Sequence, residues 1–290
     1  MKKLKIPFKK NEPQWSKAEF LSKLKVFKKI YKLRPIKKNI HGINFPHMFA
    51  LYFILKKIKP KLIIESGVFR GQSSWIIEKA CPNSKIISID VDLSNRKYIS
   101  KKIKYSNIDF KFQNFTKIPE NTLVFFDDHQ NHYERLKQSK WFGIKHVIFE
   151  DNYPPFRGDF YTLKHSIHGV GFNHKLTFKN IIKTSYLLFT LFLKKILKKS
   201  FYINLSDINS RLRDMKPNDI DFKNLIKNVD VYYEFPPLIK IKKNKWGDDT
   251  NKKLYKLKKP ILNNYYIKKF DLPTDELKSY NSITYIKLKK

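Results

Sequence analysis

One cysteine, Cys81, occurs in 290 residues. An intrachain disulfide is therefore excluded, and the chain reads as a protein of a reducing compartment, the cytoplasm. Alanine is nearly absent, standing only at Ala18, Ala50 and Ala80. No run of about 18 apolar residues exists, the length a membrane span needs. The nearest, 181–193 (IIKTSYLLFTLFL), is too short and is broken by Lys183. No apolar core follows the basic start MKKLKIPFKK, so the start does not read as a signal peptide. Acidic residues are scarce: 25 against 61 Lys and Arg, a formal net charge of +36. That surplus points either to non-specific binding of nucleic acid or an anionic membrane, or to compositional bias toward Lys, Asn, Ile, Phe and Tyr. With 41% hydrophobic and 15% aromatic residues, the chain has ample material for one large domain with insertions.

Two rhythms organise the chain. Phe20, Leu24, Phe27 and Tyr31 recur at helical spacing, and 47–58 (HMFALYFILKKI) reads as a second, mostly buried helix. From residue 61 short apolar runs alternate with helical patterns. Strands are expected at 61–65, 85–90, 108–113, 122–126 and 145–149, with helices at 71–80, 94–103 and 131–140. This alternation predicts an α/β, doubly wound, mostly parallel Rossmann-like sheet with N-terminal helices and a helical insertion. The expected division is a basic helical segment (1–58), a core (59–160), a helical insertion or lid (161–228), and late strands with a basic C-terminal segment (229–290). The late strands fall at 230–235 and 282–288, separated by a lysine-rich loop region at 240–275.

The first strand ends in ESGVFRGQS, residues 65–73. An acid followed by glycines that lead into a helix is the layout of a nucleotide-type loop. Gly67 suits the tight turn, and Gly71 the approach of a ligand to the helix N-terminus. The spacing is not that of the GxGxxG fingerprint, and an ordinary strand–helix turn would also use these residues. Asp90 ends the next strand about 20 residues on, where an acid can accept hydrogen bonds from ribose hydroxyls; Asp92 is its neighbour in that role. Together these residues favour a nucleoside ligand.

Glu65-x-Gly67-x-Phe69-x-Gly71-x-Ser73, followed by Ser88-Ile-Asp90, resembles the first two motifs of class I S-adenosylmethionine-dependent methyltransferases. The closest likeness is to the branch of sugar O-methyltransferases and cephalosporin-hydroxylase-like proteins. In that branch the fourth strand often ends in Asp-Asp with a histidine nearby, and the fifth in Glu-Asp or Asp-Asp. This chain has Asp127-Asp128-His129 and Glu150-Asp151. The resemblance covers 61–154, about a third of the chain. It lacks the glycines that usually follow Asp-Asp, where His129-Gln130 stand. It implies S-adenosylmethionine as cofactor, held by Glu65, Gly67, Phe69, Arg70, Gly71, Ser73, Asp90 and Asp92; Arg70 either pairs with the methionine carboxylate or is simply solvated.

Strands four and five should be neighbours about 4.8 Å apart, with ligands outside their carboxyl ends. Asp127, Glu150 and Asp151 would then crowd one spot, and carboxylates so close repel unless a cation lies between them. Oxygen-only ligands suit Mg²⁺, Mn²⁺ or Ca²⁺. Such an ion would hold a diol and lower its hydroxyl pKa, with Asp128, His129 and His132 as candidate catalytic groups and a histidine taking the proton. The alternative is that the acid pairs cap helices or bind lysines. The reading is an O-methyltransferase acting on a small polyol or saccharide. Two others stand beside it: a nucleic-acid methyltransferase, favoured by charge but lacking Asn/Asp-Pro-Pro-Tyr after strand four, and a non-catalytic methyltransferase-like binding protein whose basic helices meet a membrane or acidic partner.

Overall fold

A computed structural model describes residues 11–172 and 215–289, apart from 116, 156, 159, 218, 245, 246 and 281. The start 1–10 and the apolar run 181–193, the heart of the expected insertion, lie outside the described residues. Helices α1 (Lys17–Lys32) and α2 (Phe45–Ile58) precede a Rossmann-like α/β unit. Its elements are β1 (Leu62–Ser66), α3 (Gln72–Ala80), β2 (Lys85–Ile89), β3 (Ile103–Ser106), β4 (Thr122–Phe126), α4 (His132–Trp141) and β5 (His146–Phe149). Then come α5 (Leu163–Ile167), β6 (Val170–Phe172), β7 (Met215–Pro217), a helix over Asp219–Asn228, β8 (Val229–Glu234) and β9 (Thr284–Leu288).

The main sheet has seven strands in the order β3-β2-β1-β4-β5-β9-β8. The first five are mutually parallel, and β9 runs antiparallel to both β5 and β8. Pleating sends alternate residues to opposite faces. Ile63, Ile86, Leu123, Phe125 and Ile148 meet the α1–α3 side, whereas Leu62, Ile64, Val124, Phe126 and Phe149 meet the side that holds Leu136, Leu163 and Leu225. On the first side Phe53 is fully buried against Trp15, Phe20, Phe49 and Phe235. α1 starts at a capping box, Ser16 with Glu19, and buries Phe20, Leu24, Phe27 and Tyr31, the periodic set seen in the sequence.

Three expectations are corrected. Residues 94–103 form no helix, because the N–H groups of Lys97 and Tyr98 both donate to the Arg70 carbonyl (3.0 and 3.1 Å) and tie that stretch to the glycine loop. The third strand is 103–106, and 108–113 instead holds a 3-10 turn at Phe110–Phe112, capped by the Asp109 side chain on the Lys111 N–H (3.0 Å). The 240–275 region contains a helix over Asn264–Phe270, and another spans Thr274–Leu277. Within 161–228 the described residues include an antiparallel pair, β6 with β7, as well as helix.

Candidate functional site

Strand register puts Ile89, Ser66, Phe126, Phe149, Thr284 and Glu234 in one row across the sheet. The next residue of each parallel strand extends the ladder by one bond. Gly67 N–H donates to Ile89 O (2.8 Å), Asp90 N–H to Ser106 O (3.0 Å), Asp127 N–H to Ser66 O (2.8 Å) and Glu150 N–H to Phe126 O (3.0 Å). The chemistry-bearing residues of the sequence are therefore aligned along one carboxyl edge, the edge where doubly wound sheets bind ligands.

Over β1 and β2 the polar groups hold one another. Glu65 is fully buried, and its Oε2 accepts from Ser74 Oγ (2.6 Å) and Ser88 Oγ (2.5 Å). Burial raises its pKa, opposed by the hydroxyls of Ser73, Ser74 and Ser88. Asp90 Oδ2 accepts from the N–H groups of Val68 (2.8 Å) and Phe69 (2.9 Å), and Oδ1 from Asp92 N–H (3.0 Å). The acid expected to meet ribose thus already clamps the glycine loop. A carboxylate has lone-pair sites beyond these three bonds, so Asp90 retains acceptor capacity for hydroxyl donors. Asp92 spends its carboxylate on its own turn, taking Ser94 N–H (2.9 Å) and Asn95 Nδ2 (3.1 Å), and Ser94 pulls its pKa down.

The glycines have structural reasons. Gly67 has φ +99°, and a Cβ there would lie 2.2 Å from the Asp127 carbonyl oxygen. Gly71 has φ +85°, and a Cβ would lie 2.7 Å from the Tyr98 carbonyl oxygen. The 97–98 segment of this chain is thus a close neighbour of Gly71. Ser73 is buried in the first turn of α3. Phe69, also at positive φ, is partly exposed, with the Arg70 guanidinium 5.0 Å from its ring.

Over β4 and β5 pleating divides the acids. Asp128 turns to the α4 side, accepting from Ser66 Oγ (2.6 Å) and pairing with Arg135 (2.8 Å), which also grips Asp109 at 2.7 and 3.0 Å. Asp128, a candidate catalytic group in the sequence, is thus held by Ser66 and Arg135. Asp127 turns the other way and has no hydrogen bond to its side chain among the described residues. Its pKa is raised well above the usual range by burial and by Glu150, with Asp151 adding to the effect and His129 opposing it. Glu150, on the same side, pairs with His47 Nδ1 from α2; burial and Asp151 raise its pKa against that pairing. Asp151 takes the hydroxyl of Tyr153.

His132 opens α4, is buried, and stacks on Phe149 with centroids 4.2 Å apart while Phe160 lies at 4.8 Å. Burial holds its pKa well below the ordinary value, with Asp151 opposing. Its Nδ1 makes no hydrogen bond among the described residues. His129 is exposed at positive φ, 5.4 Å from the Phe160 ring. Among the described residues, no group of three or more His, Cys, Asp or Glu is arranged to hold a metal ion. No helix among them is long and apolar enough to cross a membrane.

Sequence reasoning missed His47, Arg135 and Tyr153. His47 is 103 positions from Glu150 and carries no local signal. Arg135 was readable only as one more cation. Nearby, Lys164 is buried between Ser282 Oγ (2.7 Å) and Glu234 (3.1 Å), joining α5 to the ends of β8 and β9.

No family model and no curated protein matches the chain. Among solved structures, CmcI with SAH aligns at 20% identity over 38% of this chain and 62% of that one, TM-score 0.34. SAH-bound PaMTH1 from Podospora anserina aligns at 12% identity over 97% and 92%, TM-score 0.40. The O-methyltransferase TomG from Streptomyces achromogenes, in complex with SAM, aligns at 16% over 50% and 68%, TM-score 0.33. The aligned part spans about three fifths of the CmcI chain.

Proposed function

We propose that the chain is an S-adenosylmethionine-dependent O-methyltransferase acting on a small polyol or saccharide. The observation that carries this reading is the loop over β1 and β2, where two glycines at positive φ and backbone N–H groups are fixed by a carboxylate at the tip of the next strand. The cradle fits a nucleoside on the donor set: Asp90, with acceptor capacity left beyond its three backbone N–H donors, would accept ribose-type hydroxyls, and Arg70 and the N-terminus of α3 would meet a carboxylate. Bound there, the sulfonium supplies a methyl group for an acceptor oxygen.

The remaining chemistry belongs to β4 and β5. Burial lowers the His132 pKa and favours its neutral form, and Nδ1, which has no hydrogen bond among the described residues, is the nitrogen that would take the acceptor's hydroxyl proton. His129, exposed beside it, is the second candidate base. Asp127 faces the same edge with a carboxyl free to accept a polyol hydroxyl. Holding the acceptor oxygen in line with the methyl group is the main task, as positioning contributes most in such transfers.

Charge supports a divalent cation, Mg²⁺ or Mn²⁺, at Asp127, Glu150 and Asp151, since Glu150 and Asp151 raise the pKa of Asp127 and Asp151 raises that of Glu150. Geometry does not yet support it. Glu150 is committed to His47 and Asp151 to Tyr153, and the three do not form one coordinating group. No step of the reading runs through a metal. The experiment is calorimetric titration of S-adenosylmethionine, followed by mass spectrometry of sugar and polyol acceptors for a gain of one methyl group. Absence of donor binding removes the proposal; donor binding with methylation of nucleic acid alone removes the acceptor class.

A further inference from the structure

The lysine surplus is not evenly laid out. From residue 20 to residue 64 there is no Asp or Glu, although an even spread of 25 acids over 290 positions would put about four there. The same stretch carries Lys23, Lys25, Lys28, Lys29, Lys32, Arg34, Lys37 and Lys38. α1 sorts them. Its buried stripe faces α2, and the opposite stripe, 100° per residue around the helix, presents Lys25, Val26, Lys29, Lys32 and then Leu33, all exposed. Leu33 is 75% exposed, Ile40 in the following loop 60%, and Val26 48%. Aliphatic side chains standing free among cations are not what a solvated face requires.

The neighbouring acids lie off this stripe. Glu19 pairs with Lys57, Asp271 with Lys28 (3.5 Å), and Glu276 with Arg34 (3.7 Å). Lys25, Lys29, Lys32 and Lys38 have no carboxylate partner among the described residues. The surface also has a fixed place in the molecule. The Ile36 carbonyl accepts from Gln72 Nε2 (3.4 Å), one residue past Gly71, so the 33–41 loop borders the carboxyl edge.

We propose that this face, Lys25, Val26, Lys29, Lys32, Leu33, Lys38 and Ile40, docks on an anionic phospholipid bilayer. The lysines match the negative surface potential, and the three aliphatic side chains reach the headgroup–acyl boundary. Docking places the glycine-loop edge beside the membrane. The inference concerns a surface outside the donor cradle and stands or falls apart from the proposed reaction.

The test is co-sedimentation of the full chain with vesicles of phosphatidylcholine, with and without phosphatidylglycerol, near physiological salt. Three variants separate the causes: Leu33→Ala with Ile40→Ala; Lys25→Gln with Lys29→Gln and Lys32→Gln; and, as a charge-matched control, Lys101→Gln with Lys102→Gln and Lys104→Gln, also exposed. All five substituted side chains of the docking face are exposed, so thermal melts should match wild type. The expected result is binding to the phosphatidylglycerol vesicles alone. It should fall about tenfold or more in each of the first two variants and stay within about twofold in the control. The proposal is overturned by no preference for phosphatidylglycerol, or by equal loss in the control. It is also overturned if the Leu33/Ile40 variant keeps full binding while duplex DNA displaces the vesicles, which would make the face a nucleic-acid surface. Donor titration in the same variants should be unchanged, keeping a failure here distinct from a failure of the methyltransferase reading.

Discussion

The two halves of the carboxyl edge are built on opposite principles. Over β1 and β2 every singled-out acid is engaged by hydroxyl or backbone N–H donors: Glu65 by serines, Asp90 by the loop, Asp92 by its own turn. Over β4 and β5 acids crowd acids. The Asp127 side chain has no hydrogen bond among the described residues, and Glu150 leans on a histidine from another helix. The first half is finished as a cradle. In the second, carboxylates raise one another's pKa, the kind of perturbation that reactive sites concentrate.

The largest expected effect breaks the support beneath the second half. Arg135→Ala should cost about 3–5 kcal/mol, because Asp128 and Asp109 lose their shared, buried counter-charge; urea unfolding of both proteins checks it. Gly67→Ala should cost at least about 1 kcal/mol, since an alanine at φ +99° would drive Cβ into the Asp127 carbonyl. It joins the two halves, so donor affinity should fall with stability.

Asp127→Asn sharpens the contrast by going the other way. In chelator it should stabilise by roughly 1 kcal/mol, the scale of an ordinary point substitution. The sign follows from the raised pKa of Asp127. A carboxyl held above its unfolded value contributes stability that is whole below about pH 3.9 and is lost as pH rises through the folded value. The variant's advantage should therefore be absent in acid, open as pH climbs past about 4, and level off above the folded pKa. Thermal melts across pH would show it, and an advantage that grew toward acid would refute the assignment. The smallest effect is that of the cation: Mg²⁺ or Mn²⁺ should leave the melting temperatures of wild type and Asp127→Asn within about a degree of their values in chelator, because Glu150 is held by His47 and Asp151 by Tyr153. A rise of several degrees in wild type alone would show a cation bound at these carboxylates.

Much of this was legible in the sequence where the signal is local. The 61–65 run, the glycine turn and the acids at strand ends need only neighbours a few residues away, and β1, α3, β2, β4 and β5 came out within a residue or two. The 94–103 stretch misled because its periodicity competed with a tertiary tie to Arg70 that no window reveals. Alternation at 108–113 gave way to an Asp109 cap whose carboxylate is also held by Arg135. The sequence could not say which acid of each pair faces which side. The pleat settles it once the register is known: Asp127 and Glu150 toward α2, Asp128 toward α4. His47 comes from outside the alternating core, so only the fold could bring it to Glu150.

The central claim is the division of labour between the halves, and one titration tests it. S-adenosylhomocysteine is titrated calorimetrically into wild type, Asp90→Ala and Asp127→Asn, each shown folded by its melt. Wild type should bind, Asp90→Ala should lose about 2–4 kcal/mol as charged hydrogen bonds disappear, and Asp127→Asn should stay within about threefold of wild type. Undiminished affinity in Asp90→Ala, or collapse of affinity in Asp127→Asn with Asp90→Ala intact, would contradict that division of labour.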